Sequence, residues 1–354
     1  MITKTGETSF RTEIAQYQEE LDLSVINDQA KTKGNRTIKF NETEYNKIKE
    51  LIPSFSSKYE NVLAIEEDKF VYKGTDETLY RMALDIGLIP EDELLDDEIL
   101  EELQPFITEW TVEAGDTITL PIGATCDFTV NYGDGTEDLM VTSNTDEDRI
   151  HTYTSAGTYT VTIKGKCKQF DFYSCDNTSK NKISRIIQWG NTDRTRICFC
   201  YCDNLTGSIP ISSKNSFNKI ENFKWLFWDC KKLEGNIPKN LFFNCPNVTS
   251  FDGTFYGCLS LNGSIPEDLF KKCPNVTTFA NTFYDCKNLT GNIPENLFIN
   301  NINISNFKTT FCGCSKLNGN APALWERTNV TNSQWCFYDC TNLSNYNDIP
   351  STWK

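Results

Sequence analysis

Apolar and polar positions in the C-terminal half of the chain recur every 28 residues. Residues 251–278 read FDGTFYGCLSLNGSIPEDLFKKCPNVTT, and the next 28 read FANTFYDCKNLTGNIPENLFINNINISN. Phe199, Phe227, Phe255, Phe283 and Phe311 keep that step, as do Leu205, Leu233, Leu261, Leu289 and Leu317. Ile220, Val248, Val276 and Ile304 form another apolar row, and Phe223, Phe251, Phe279 and Phe307 a further one. Pro210, Pro238, Pro266, Pro294, Pro322 and Pro350 hold the same spacing without exception. A unit repeated in register like this cannot bury its apolar face alone, and neighbours bury it by stacking. The pattern predicts a solenoid over residues 167–354. Within one coil, residues 276–279 suit a short strand, Phe283 and Cys286 enter a turn or short helix, and Leu289, Ile293 and Pro294 return the chain.

Upstream the period drops to two. WTVEAGDTITLPI, FTVNYGDGTEDLMV and HTYTSAGTYTVTIKG alternate apolar and polar residues. Gly133-Asp134-Gly135 and Ala156-Gly157 supply the tight turns between strands. Residues 106–166 therefore read as a small all-β sandwich. Asp134, set between two glycines, is a turn residue before it is a calcium ligand. Residues 1–105 are charged and rich in Glu. Leu79, Met82, Ala83 and Ile86 fall at helical spacing until Pro90 ends the pattern, and the acidic stretch 91–102 reads as a solvated face. Residues 1–35 hold little apolar material and order only against a partner, which makes the N-terminal region a docking segment. The fold class expected is mixed but mostly β.

Charge narrows the partners. Lys and Arg number 34 against 49 Asp and Glu, for a net charge of -15. Phosphate binding needs a basic face, so a nucleic-acid partner is excluded. No apolar run approaches the roughly 20 residues that cross a bilayer, and the N-terminal residues lack the apolar core of a secretory signal. The chain reads as made, and left, in the cytoplasm of its producer, with no membrane insertion.

Candidate chemistry is sparse. Cys202, Cys230, Cys258, Cys286 and Cys314 are 28 apart and read as a ladder of small buried hydrophobes carrying free thiols, although neighbours approach disulfide distance. The one histidine, His151, lies far from them, so neither a metal site nor a cofactor is expected. No phosphate-cradling loop or nucleophile–base spacing stands out, and the reading is non-enzymatic. One row invites a ligand. Two residues before the ladder cysteine stand Trp228, Tyr256, Tyr284 and Tyr338, with Cys200 and Cys312 breaking the series. In an extended stretch these rings point away from the core Phe beside them and are free to stack on sugars or anchor a protein; in a helical turn both rings are buried. Asn247, Asn275 and Asn303 make a last row, read as a ladder bonding backbone groups rather than as glycosylation sites.

Two resemblances add expectations. YGDGT at 132–136 and HTYTSAGTYTVTI at 151–163 resemble the PKD-type immunoglobulin-like module, a common spacer in surface and fibre proteins. The Phe-x-x-Cys-x-x-Leu of every coil, as in TFYGCLSLNGSIP and in Phe337, Cys340 and Leu343, resembles BspA-like leucine-rich repeat surface proteins, with a longer unit and an inserted Gly-x-Ile-Pro. That family implies adhesion. Sandwich and repeats together look like fibre or decoration proteins of phages of gut Bacteroidetes. The resemblance implies a homo-oligomeric virion protein, on head or tail. Residues 1–105 would dock on other virion proteins, and the solenoid would meet a bacterial surface protein or carbohydrate. A bacterial surface adhesin and an intracellular interaction scaffold are the alternatives.

Overall fold

The computed structural model describes residues 104–354, save 176 and 213–215, and three short strands upstream. The chain forms two compact units, Met1–Glu102 and Leu103–Lys354. In the first, β1 (Arg36–Ile38), β2 (Leu63–Glu66) and β3 (Lys69–Tyr72) make an antiparallel sheet in the order β1-β3-β2. The helical pattern at 79–86, the acidic stretch 91–102 and residues 1–35 lie outside the described residues. The protein is mostly β: strands account for most of its regular structure, and among the described residues of the second unit the one α-helix is the four-residue α1 (Asn177–Lys180).

The second unit begins with a five-stranded antiparallel sheet. Its order is β11 (Ile183–Gln188), β4 (Phe106–Val112), β9 (Gly157–Cys167), β6 (Cys126–Asn131), β7 (Leu139–Val141). Alternation along β4 turns Phe106, Thr108, Trp110 and Val112 inward. The buried indole N–H of Trp110 donates to Thr108 Oγ1 at 2.9 Å, so the core carries no orphaned donor there. A two-stranded ribbon of β5 (Thr117–Thr119) and β8 (Ile150–Thr152) brings Ile118 into the same core, where Leu120 and Tyr153 join it. The boundary expected after 166 falls inside β9. The sheet also takes its edge strand, β11, from the segment read as repeats: Ile183 and Ile186, three residues apart, are both buried because the register with β4 shifts between them, a pattern that carries no 28-residue signature.

The sheet then caps the repeats. β10 (Gln169–Asp171) pairs in parallel with β12 (Arg196–Cys198), and Phe170 and Phe172 pack on Phe199 at 6.0 and 5.9 Å. From Phe199 onward the 28-residue windows stack. Phe199, Phe227, Phe255, Phe283, Phe311 and Phe337 form one column with ring centroids 5.5–5.9 Å apart. Phe223, Phe251, Phe279 and Phe307 form a second, 5.4–6.2 Å apart.

The strand expected in each coil shrinks to a single parallel bridge in the row Asn222, Ser250, Thr278, Asn306, Asn332. A second row of bridges pairs Gly235 with Leu261, Gly263 with Leu289 and Gly319 with Leu343. The last two coils hold 3-10 turns at Leu324–Glu326, Tyr346–Asp348 and Ser351–Trp353, and the segment between the bridges is turn. The N–H groups of Phe251, Gly253, Phe255 and Gly257 reach carbonyls of the next coil at 2.8–3.1 Å, while those of Thr254, Tyr256 and Cys258 turn back three residues within their own. Left-handed backbone recurs at three places per coil, one of them the glycine row Gly207, Gly235, Gly263, Gly291 and Gly319, and the overlapping turns take the other two. Of these two, one row is Trp225, Gly253, Asn281, Thr309 and Trp335; the other is Asp229, Gly257, Asp285, Gly313 and Asp339. Every residue of the two turn rows has φ between 51° and 77°.

Side chains satisfy what the turns leave over. The ladder thiols of Cys230, Cys258, Cys286 and Cys314 donate to the carbonyls of Phe199, Phe227, Phe255 and Phe283 at 2.9–3.1 Å. Thr254, Thr282 and Thr310, fully buried, bond the carbonyls of the second Phe column. Asn247 and Asn275 donate to backbone carbonyls of the preceding coil at 3.1 and 2.8 Å. All 15 cysteines are free thiols. At the far end Trp353, only 6% exposed, stacks on Phe337, and its carbonyl receives the Phe337 N–H at 2.8 Å. Arg327 finishes the cap, donating to the carbonyls of Asn301 and Phe298.

Candidate functional site

The aromatic row sits on the outer side of the turn segment, and the turn decides its geometry. Because the backbone is neither extended nor helical, Trp228, Tyr256 and Tyr284 are neither freely exposed nor buried. Each is half-buried and lies flat on the next: Trp228 on Tyr256 at 3.8 Å and Tyr256 on Tyr284 at 4.4 Å, both within 3° of parallel. Coils repeat at close to the strand spacing of about 4.8 Å, near enough for rings in register to lean into contact. Such a stack contributes about 0.5–1.5 kcal/mol per pair beyond burial. The three rings therefore present edges outward, with their facing surfaces covered by each other. Tyr338 stands apart beyond Cys312 and is 55% exposed.

The more exposed rings lie instead at the two ends of the row, Tyr173 and Tyr201 at one and Trp335 and Tyr338 at the other, while Trp225 is half-buried. At one end Trp225 has φ +65, meets Trp228 edge to face, packs against the exposed Tyr173 at 4.7 Å and carries the Lys224 ammonium 4.2 Å from its ring centre. Room for it comes from the next coil: a Cβ on Gly253 would stand 2.9 Å from Trp225 Cδ1 and 2.5 Å from Trp228 Cε3. Tyr201, 45% exposed, flanks the same end. At the other end Trp335, at φ +58, is 49% exposed beside Tyr338. A bulky L-residue in this conformation costs about 1–2 kcal/mol; of the coils between, two carry Gly253 and Asn281, which tolerate it, and the third carries Thr309, whose hydroxyl donates to Asn281 Oδ1 at 2.6 Å. Aligning the coils shows tryptophan where glycine or asparagine fits best, a signal that was present in the sequence. Trp225 and Trp335 are four coils apart, about 19 Å along the stack.

The groups beside the row are polar and mostly acidic. Asp229 and Asp285 alternate with Gly257 and Gly313, and each carboxylate leans over the glycine of the following coil, where an added Cβ would lie 2.2 Å from its Oδ1. Burial holds the Asp229 carboxyl above its ordinary range, against the pull of Lys231. The Tyr256 hydroxyl is pushed up to about 12 by burial, then by Tyr284 and the carboxylates of Asp229 and Asp285. Lys231 pairs with Asp203 at 3.3 Å and Lys287 with Asp285 at 3.5 Å. The surface therefore offers ring faces at its ends and hydroxyl and carboxylate edges between them. Rings pack on apolar faces, and the edges exchange hydrogen bonds with hydroxyl or amide groups.

The remaining chemical groups are structural. His151 stacks on Tyr132 at 4.1 Å, meets Tyr153 edge-on and bonds Asp134 Oδ2 at 2.7 Å. Asp134 also accepts from the N–H and hydroxyl of Thr136, as a turn residue does. Burial raises its carboxyl, but the bonds from Thr136 and His151 outweigh that and hold it at about 2. Among the described residues no three His, Cys, Asp or Glu side chains converge as a metal site, and no helix is long and apolar enough to cross a membrane.

Comparison with known proteins returns one family, described as "Mycoplasma protein of unknown function, DUF285", which matches residues 171–295 and again 221–353. Together these spans cover just over half of the chain. No curated protein and no solved structure matches.

Proposed function

The chain belongs to the DUF285 family, whose description names no activity, and from the geometry we propose a non-enzymatic attachment protein built from a PKD-like sandwich and a BspA-like leucine-rich repeat solenoid. In this reading it is a phage virion protein, a head fibre, capsid decoration or tail fibre. Residues 1–105 dock it to other virion proteins, and the coils meet a surface protein or carbohydrate of the bacterial host. The observation that carries the attachment reading is the set of large aromatic rings left uncovered at the two ends of the turn row: Tyr173, Tyr201, Trp335 and Tyr338 are each 45–55% exposed. Uncovered rings on a rigid scaffold are the usual anchors of a contact surface. Several copies per particle turn weak contacts into firm adhesion through effective concentration.

A second reading has an observation of its own. The matching family is described from a cellular organism, which favours a bacterial surface adhesin. Immunogold microscopy of a lysate from the producing culture, with serum against residues 167–354, separates the two. Gold on capsids or tails supports the virion protein; gold on cell envelopes, with bare particles, overturns it in favour of the adhesin. In either case Trp335→Ala with Tyr338→Ala is expected to lower retention on target cells about tenfold with the fold intact. Unchanged retention would remove the aromatic ends from the contact.

A further inference from the structure

Most of the cysteines repeat with the coils, but Cys126 and Cys167 do not. Cys126 opens β6 and Cys167 closes β9, and the strand register sets them directly opposite one another. The Cys167 N–H goes to Thr192 O at 2.8 Å, and it is Lys168 whose N–H reaches Thr125 O, at 3.4 Å. The cysteines are thus a non-hydrogen-bonded antiparallel pair. In such a pair the Cα atoms stand about 4.5 Å apart and both side chains point to one face. That separation falls within the disulfide range of about 4.4–6.8 Å.

Other thiols are placed less well for bonding. Ladder cysteines are parallel in-register neighbours, whose Cβ atoms keep the strand spacing of about 4.8 Å, beyond the roughly 3.5–4.5 Å a disulfide spans. Each also donates to a carbonyl of the preceding coil at 2.9–3.1 Å, shorter than the 3.5 Å from the Cys167 thiol to Gln169 O. Cys245 and Cys273 bring their thiols together but are both fully buried, and the Cys273 thiol also reaches Phe242 O at 3.6 Å. Cys198 is held by a 3.0 Å bond to Trp225 O. Cys126 is different in access as well: it is 8% exposed at a strand end, where fraying opens the backbone most readily.

We infer that Cys126 and Cys167 form a cross-strand disulfide when the chain meets an oxidised low-molecular-weight disulfide, as it does once outside a reducing cytoplasm. Cys126, as thiolate, attacks one sulfur of the small disulfide and forms a mixed disulfide; the released thiolate takes up the proton Cys126 lost. Cys167, as thiolate, then attacks the Cys126 sulfur and expels the second small thiolate, which takes the Cys167 proton. Two protein thiols are oxidised, one small disulfide is reduced to two thiols, and atoms and electrons balance. The bridge lies where the sheet hands over to the coils: Lys168 O, one residue on, accepts the N–H groups of Thr195 and Arg196 that lead into β12. Force applied to the coils enters the sheet at this joint, and the bridge ties β6 to it.

The test uses the full chain, purified reduced and then held with oxidised glutathione at mildly alkaline pH. Acid quenching, alkylation and peptide mapping complete it. The expected result is a mass loss of two hydrogens, a single crosslinked peptide joining Cys126 to Cys167, and a rise in unfolding temperature on the order of 10 °C that Cys126→Ser abolishes. The map on unaltered protein does not depend on how that variant folds. No crosslink after prolonged oxidation, or a crosslink between Cys198 and Cys200, Cys245 and Cys273 or two ladder cysteines instead, overturns the inference.

Discussion

Replacing Gly257 by Asp sets three carboxylates in a column, because Asp229 lies one coil before it and Asp285 one coil after. The backbone permits the change, since Asp229 and Asp285 already occupy the same left-handed turn. The new Cβ lies 2.2 Å from Asp229 Oδ1, which is the movable end of a side chain, so the carboxylate swings aside. Charge is what remains. Two unit charges one coil apart, about 4.8 Å, repel by about 0.9 kcal/mol at the dielectric constant of water and about 3.5 kcal/mol at an effective value of 20. Both neighbours are partly exposed, so the lower part of that range applies. Two such pairs destabilise by about 2–3 kcal/mol at low salt, and 1 M salt, with a screening length of about 3 Å, removes most of it.

The control is Gly257→Asn, equal in shape, neutral, and matched by Asn281 in the other left-handed turn row. Urea unfolding of the two variants isolates the charge. Flanking carboxylates raise the folded-state pKa of the new carboxyl above its unfolded value of about 3.9. The penalty is therefore full at pH 7 and vanishes as pH falls below the unfolded value. If the Asn variant is as unstable as the Asp variant at pH 7, or if the gap between them survives at pH 3, like-charge repulsion is not why glycine alternates with aspartate.

The same structure sets three further outcomes. Phe283→Ala empties a site between Phe255 and Phe311, each 5.5 Å away, and is expected to destabilise by about 3–5 kcal/mol; hydrogen exchange should show protection lost in the later coils while β4 and β9 keep theirs, and a uniform loss would contradict nearest-neighbour stacking. Ladder thiols, raised by burial, should resist a disulfide reagent in the native protein at neutral pH while the partly exposed Cys175 reacts; labelling of Cys258 or Cys286 at the Cys175 rate would refute that. Asp134, at about 2 when folded, contributes stability that is present above the unfolded carboxyl pKa and lost as pH falls toward 2. Asp134→Asn should therefore flatten the acid limb of the stability curve between about pH 4 and 2, and an unchanged limb would place that dependence elsewhere.

How far the sequence carries the fold differs by element. The Phe, Leu and Cys rows were legible because a repeat multiplies each weak apolar signal by the number of coils, and Phe255 and Cys258 sit buried in columns as their spacing requires. The turn segment was not legible as such. Its alternating hydrogen bonds depend on left-handed residues, and reading Gly253 and Asn281 as backbone devices requires aligning them with Trp225 and Trp335. For the same reason the row of Trp228, Tyr256 and Tyr284 was identified but its orientation was not, since extended and helical backbone both misplace rings that a turn sets face to face. β11 escaped because its two buried isoleucines are a weaker signal than the repeats downstream of it.

The alternation of Asp229, Gly257, Asp285, Gly313 and Asp339 also bears on how such a chain lengthens. Hydrophobic columns repeat with one coil, and any whole number of coils would satisfy them. The charge pattern repeats only with two. Duplicating a single coil places aspartate against aspartate or glycine against glycine, whereas duplicating a pair leaves the alternation of this column as it was. The smallest duplication that keeps this column in register is thus two coils, 56 residues, twice the visible repeat.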